Sequence, residues 1–390
     1  MVKVKSSRIE SIDILRGLVM VLMALDHTRD FFHLGSSIFG PTDLQTTTPS
    51  LFFTRFITHY CAPVFVFLAG TSAFLYGSKK TKQELFKFLF SRGLWLILLE
   101  IVLNNLLWQF NLGYNLIVLQ VIWAIGLSMV LLSLIIFLND KLILILGIIL
   151  VGFHNLLDNI TMEGNNLESI LWYILHQRAG ITFDSNFAIR FAYPILPWLG
   201  LMVLGYYFGR LYLKSFNADR RKKWLAVLGI GALVLFIILR TINLYGNLTP
   251  WEYQKNNIYT FLSFINVTKY PPSLDFILIT IGPSLLFLYA IENVKNKITD
   301  FLLVFGRVPL FYYFLHVLVL HVLAVLSVLL LSDGWEDLES LSPFAMAEYG
   351  YPLYLVYAIW IVVITLLYFP SKKYMTYKAN NKDKWWLSYL

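Results

Sequence analysis

The stretch Ser11-Ile-Asp13-Ile-Leu-Arg16-Gly-Leu-Val-Met-Val-Leu-Met-Ala-Leu-Asp26-His27-Thr-Arg29-Asp30-Phe-Phe-His33 opens the apolar part of the chain and is loaded with ionisable groups. Its longest clean apolar run, Gly17 to Leu25, is far shorter than the roughly 20 residues that a membrane-spanning helix needs. Each ionised Asp or Arg at the centre of such a helix costs about 2.5–3.5 kcal/mol on insertion scales. A helix charged in this way cannot face lipid, so it must face the interior of a bundle, where ionisable residues are candidates for a functional site. The interruptions at Asp13, Arg16 and Asp26, with no small-residue cleavage pattern, also argue against a signal peptide. The segment is expected to stay in the mature protein.

The rest of the 390-residue chain fixes that bundle's setting. It is 58% hydrophobic and only 14% charged, well below the roughly 25% charged residues of soluble domains, and its mean hydropathy is +0.67. Lipid cannot satisfy backbone polar groups, so such a chain crosses the bilayer as helices or a closed barrel. Long apolar runs without period-2 alternation select helices. The expectation is an all-α, polytopic membrane helix bundle forming one domain over 1–390, with about ten transmembrane helices. They are placed near 12–33, 51–76, 87–108, 114–138, 141–157, 194–213, 223–242, 272–291, 307–331 and 353–369.

Charge tests that count. Lys3, Lys5 and Arg8 precede the first segment; Lys79 to Lys87, Lys141, Lys214 to Lys223 and Lys295 to Arg307 fall in every second connector, and the tail carries Lys372 to Lys384. The intervening connectors hold only Arg178, Arg190, Lys255 and Lys269. Because Lys and Arg concentrate on the cytoplasmic side, both termini are expected in the cytoplasm of a multi-pass protein of the plasma membrane. The net charge of +8 therefore reads as topology and not as nucleic-acid binding, since the basic residues do not form one polar face. Cys61 is the only cysteine, which excludes an intrachain disulfide and a cysteine-based metal site. Three long outer connectors, roughly 34–50, 158–193 and 243–271, are rich in Trp, Tyr, Asn and Thr and suit a lidded polar cavity.

Spacing within the first segment sharpens the chemistry. Arg16 and His27 are eleven residues apart, which places them about 20° apart around a helix and about 16 Å apart along it. In this topology Arg16 sits at the inner mouth, where its planar fork suits the phosphates of a nucleotide-like cofactor. His27, deeper on the same face, suits a thioester on an extended arm and can take a proton from an acceptor hydroxyl or amine. Asp26 points about 100° away, toward Arg29 or the neighbourhood of Asp30. Asp13–Arg16 and Asp26–Arg29 also have the spacing of structural ion pairs.

The pattern Ser11 to Gly17, Asp26-His27, then Cys61-Ala-Pro-Val-Phe-Val-Phe-Leu-Ala-Gly70-Thr-Ser resembles the catalytic domain of the heparan-α-glucosaminide N-acetyltransferase family. It also resembles the wider membrane acyltransferase superfamily, whose signature is an Arg, ten residues and a catalytic His on the first helix. The resemblance implies an acyl-CoA-dependent acyltransferase, with acetyl-CoA bound from the cytoplasm and the acyl group passed to the amine or hydroxyl of a glycan or amino-sugar acceptor on the far side. The lysosomal members carry Asn at the position of His27 and their catalytic His further toward the lumen; the resemblance makes His33 a candidate counterpart of that second residue, though at a different spacing.

The remaining candidates are weighed on their helices. Arg55 and His59, four apart on one face, either bind the acceptor or serve as structural residues at a helix end. Glu100, Asn104 and Asn105 form a polar stripe that glues helices together. Gly306-Arg307-x-Pro309 offers an anion site at the cytoplasmic face, and His316 either lines the cofactor channel or is an interior histidine. Arg92 and Arg210 read as snorkelling anchors. The catalytic group is thus expected at His27, Asp26 and His33, the cofactor side at Arg16, Arg307 and His316, and the acceptor side at Arg55 and His59, with no metal. Expected partners are acyl-CoA, the acceptor and the lipid bilayer, with self-association allowed. A proton-coupled transporter of a small polar solute is the alternative, although the sequence shows no inverted repeat of the transporter kind.

Overall fold

The computed structural model describes residues 9–36, 38–184, 187–331 and 350–388; Lys3, Lys5 and Arg8 lie outside them. The chain begins with α1 (Glu10–Phe32), followed by α2 (Pro49–Thr58) and α3 (Cys61–Gly77). Next, α4 (Lys82–Leu99) runs through a π-helical turn, Glu100–Asn104, into α5 (Asn105–Gln109). The middle of the chain forms α6 (Val121–Ile135), α7 (Asp140–Gly152), α8 (Leu167–Leu175), α9 (Ile195–Phe208) and α10 (Ala218–Ile242). The remainder forms α11 (Asn257–Ile265), α12 (Leu274–Ile291), α13 (Lys297–Arg307), α14 (Pro309–Leu331) and α15 (Leu353–Asn380).

Every segment expected to span is helical over most of its length, with two starts displaced. Among the described residues, five helices have both the length and the apolar composition to cross a membrane: Pro49–Gly77, α10, α12, α14 and α15. The other five expected spans are shorter or more polar, α1 among them because its charges face inward.

The fold is helical as expected, with one short sheet added to it. The span expected from 114 begins as a strand, β1 (Leu116–Leu119), which pairs in parallel with β3 (Phe187–Phe191); β2 (Ala179–Asp184) pairs antiparallel on the other edge of β3. Asn105 fixes the strand: its Oδ1 accepts from the Val118 backbone at 2.7 Å and its Nδ2 donates to the Val118 carbonyl at 3.2 Å. Glu100 accepts from the Trp123 backbone N–H at 3.0 Å at the start of α6, and from Asn104 at 2.6 Å. A carboxylate at a helix N-terminus satisfies donors that have no partner within the helix. The stripe Glu100-Asn104-Asn105 therefore holds elements together, as its composition suggested.

A second correction concerns the span expected from 307. Arg307 ends α13, a separate helix capped by Asn296 and Thr299, and α14 starts at Pro309, a residue suited to the first helical turn. α13 packs on α1 through a close glycine crossing. A Cβ on Gly17 would lie 1.9 Å from the Leu302 carbonyl oxygen, and one on Gly306 would lie 1.8 Å from that of Asp13. Only glycine permits this approach, and it sets Arg307 beside the inner end of α1.

The bundle surrounds α1, which is buried along most of its length, including Asp13, Asp26 and Arg29. α10 and α15 keep most of their apolar surface outside the bundle. Near the outer end of α10, Arg240 is 1% exposed and donates to the carbonyls of Phe264 (2.7 Å), Ser263 (2.8 Å), Asn266 (3.3 Å) and Thr249 (3.5 Å). The connector 243–271 is thereby tied to a helix that otherwise keeps its surface outside the bundle.

Candidate active site

Successive residues of α1 line a cavity of about 520 Å³, called inner because the charge pattern expects the cytoplasm on its side: Arg16, Met20 and Met23 all face it. Their spacing continues to His27 on the same face, which is what the helical period requires. Arg16 is oriented by three acceptors, Asp13 Oδ1 at 2.8 Å, Ser72 Oγ at 3.0 Å and the Gly306 carbonyl at 3.3 Å. Arg307 faces the same cavity, with Glu10 at 3.7 Å and Asp13 at 3.8 Å. The structure adds Arg92 and Lys378 to this lining. Arg92, expected as an anchor, therefore faces the cavity, while Arg210 pairs with Asp140 at 2.6 Å.

At the deep end Tyr313 lines the cavity and stands 6.0 Å from the His27 ring, edge on. Trp108 lies edge on at 4.7 Å and donates its indole N–H to the Tyr313 hydroxyl at 3.3 Å. His27 Nδ1 is 2.7 Å from His316 Nε2, and His316 Nδ1 is 2.8 Å from the Tyr312 carbonyl. A carbonyl only accepts, so His316 carries its proton on Nδ1 and presents a bare Nε2. His27 must then donate from Nδ1, which leaves the lone pair of its Nε2 available. Among the described residues that Nε2 has no hydrogen-bond partner, and His27 retains partial exposure while His316 has none. His316 lies outside the cavity lining and bonds His27 instead.

Asp26 leaves α1 on another side, as expected. One carboxylate oxygen accepts from Thr58 at 2.8 Å and lies 3.0 Å from Arg29; the other accepts from Arg55 at 2.5 Å. Arg29 also pairs with Asp30. A buried charge is tolerable when paired and hydrogen-bonded in this manner. Asp26 thus touches Arg55, not His27, and the structural ion pairs Asp13–Arg16 and Asp26–Arg29 are both formed.

Arg55 and His59 both line a second cavity of about 560 Å³, walled by the connector 243–271 that the charge pattern expects outside, and called outer for that reason. The cations Arg55, Arg178 and Lys269 face it against the single carboxylate of Glu252. His59 is 4% exposed, and among the described residues its Nδ1 has no hydrogen-bond partner. Burial works to raise the Tyr270 phenol, but Lys269 and Arg55 outweigh it and bring it down to about 8. His33 stands apart. It ends α1, half-buried, in a one-residue bridge with Tyr351, and lines neither cavity.

Trp108, Tyr313, Arg178, Lys269 and Lys378 are absent from the sequence-based candidates. The Lys and aromatic residues lie in connectors or apolar helices where spacing alone gives no hint of what they face. His316 was a candidate, but its pairing with His27 spans 289 residues of sequence.

These features define a helical membrane protein in which His27 is held inside the bundle on the helix face that Arg16, Met20 and Met23 present to a cavity. Residues 8–241 match the family described as heparan-alpha-glucosaminide N-acetyltransferase, catalytic, and the chain belongs to that family. It is accordingly a membrane acetyltransferase. A search of curated proteins found no match. The matched region ends within α10, so Arg307, His316 and Lys378 lie beyond it.

Proposed function

We propose that the protein transfers an acetyl group from cytoplasmic acetyl-CoA to the amine or hydroxyl of a sugar at the outer side of the membrane. The supporting observation is the unbroken face of α1 from the cation-lined inner cavity, through Met20 and Met23, to a histidine whose free nitrogen is defined by its partner. Arg16 and Arg307 hold the phosphates of the donor, and the acyl arm follows the Met20–Met23 stripe upward. The chain crosses the bilayer about ten times with both termini inside, which the alternation of basic connectors supports.

His27 Nε2 takes the proton of the acceptor nucleophile as that atom attacks the thioester carbonyl. The tetrahedral intermediate then expels the CoA thiolate, which recovers the proton from His27 to leave free CoA and the acetylated acceptor. His316 keeps the His27 ring in the productive tautomer and accepts from its second N–H while the ring is charged. Asp26 acts at one remove, by fixing Arg55 at the wall of the outer cavity. The surplus of cations there favours an amino sugar that also carries an acidic group.

The test is made on purified protein in detergent. Acetyl-CoA should bind with micromolar affinity, and free CoA should appear only when an amino-sugar acceptor is added. Binding without acceptor-dependent release, or no binding, would overturn the reading.

A further inference from the structure

Four cations line the inner cavity, Arg16, Arg92, Arg307 and Lys378, and the donor proposed above carries two separate anionic groups, a pyrophosphate and a 3′-phosphate on its adenosine. The pyrophosphate joins directly to the arm that bears the thioester. It therefore falls to the cations aligned with the path to His27, which are Arg16 at the foot of the α1 stripe and Arg307 at the Gly17–Gly306 crossing. Arg92 of α4 and Lys378 of α15 remain for the second group.

Their surroundings suit an adenosine. Tyr76 and Phe88 line the same cavity with their rings stacked 4.0 Å apart, and the Arg92 guanidinium lies 5.5 Å from the Phe88 ring centre. Aromatic faces and guanidinium planes are what a purine stacks on. Lys378 reaches the cavity because α15 continues well past its apolar portion, and Tyr374 stacks on Phe311 of α14 at 4.2 Å, fixing that inner extension against the bundle.

We propose that Arg92 and Lys378, together with the Tyr76–Phe88 shelf, form a subsite for the adenosine 3′-phosphate end of coenzyme A. The subsite rests on the donor reading, and it makes the protein discriminate a coenzyme from its dephosphorylated form. The alternative, that both side chains merely extend to the inner membrane surface, predicts no such discrimination.

Binding of acetyl-CoA and acetyl-dephospho-CoA to the full-length protein separates the two. Wild type should prefer acetyl-CoA by about 10- to 150-fold, the loss associated with one charged hydrogen bond. Arg92→Ala and Lys378→Ala should each reduce that preference, Lys378→Arg should retain most of it, and Arg16→Ala should weaken both ligands alike. Lys373→Ala, on the same helix and exposed, is the control for nonspecific charge loss. Equal affinity of wild type for the two ligands, or a preference that survives both alanine variants, would overturn the subsite while leaving the donor reading in place. Failure of wild type to bind either ligand would remove the donor reading, and the subsite with it.

Discussion

His27 and His316 meet through a 2.7 Å contact between Nδ1 and Nε2, with their ring planes only 7° apart. Because the far nitrogen of His316 is committed to the Tyr312 carbonyl, the direction of the proton in the pair is fixed by the backbone of α14. In the function proposed above, one histidine is the working group and the other its orienting partner.

Replacement of His27 by Ala should lower single-turnover acetyl transfer by about 10²–10⁴-fold, the usual contribution of general-base catalysis, with acetyl-CoA affinity nearly unchanged. His316→Ala should cost less and should shift the pH dependence of the rate, since the ring of His27 loses its fixed tautomer. Wild-type rates in His27→Ala would exclude it as the base. His33→Ala should be nearly silent, because His33 lines neither cavity.

Arg16→Ala and Arg307→Ala should each weaken acetyl-CoA binding by roughly 1.5–3 kcal/mol, the range for a hydrogen bond to a charged group. Calorimetry on the two variants checks this, and unchanged affinity in both would mean that the inner cavity does not hold the donor.

Gly306→Ala forces a methyl group to within 1.8 Å of the Asp13 carbonyl oxygen. Overpacking of this kind typically costs about 1–3 kcal/mol, and relief requires α13 to move away from α1, carrying Arg307 with it. The variant should melt earlier in detergent and bind acetyl-CoA more weakly. An unchanged melting curve would show that the crossing is looser than its geometry requires.

With its phenol near 8, Tyr270 should ionise well below the usual tyrosine value of about 10. The shift is downward, so its contribution to folding stability is complete above about pH 10 and is lost as pH falls through about 8. Above pH 8 the phenolate also offsets Lys269 and Arg55, and the KM for an amino-sugar phosphate should rise. Tyr270→Phe should abolish both that rise and the early phase of phenolate absorbance; persistence of the early phase would assign it to another tyrosine.

Topology can be read with one thiol. Cys61 is buried, so a cysteine introduced at the exposed Gln45 should be the main labelled site in intact cells. Labelling that needs permeabilisation would invert the orientation proposed for the chain.

Much of this was legible in the sequence because its signals are local. Apolar runs located the helices, and the Arg16–His27 spacing located one face of α1, since both residues share a single rigid element. The strand at Leu116–Leu119 was missed because a short apolar run at the head of a longer one has no period that separates it from helix. α13 escaped because an eleven-residue amphipathic helix between basic residues reads as a connector. Arg55 and His59 were found as a pair on one face, but the role of Asp26 in fixing Arg55 depends on how two helices cross, which no local pattern encodes. The same holds for Lys378, whose reach into the inner cavity is set by the stacking of Tyr374 on Phe311.

Arg240 has a consequence for biosynthesis. Its four acceptors lie between Thr249 and Asn266, downstream of the helix that carries it, so they emerge from the ribosome only after α10 has done so. Until they emerge, water at the membrane boundary is the solvent a guanidinium there would need. Emergence of the following connector would supply the carbonyls, and the arginine would then exchange water for backbone. The cavity wall and the helix would then be completed together, and a chain truncated before residue 249 should retain an arginine that is still open to solvent.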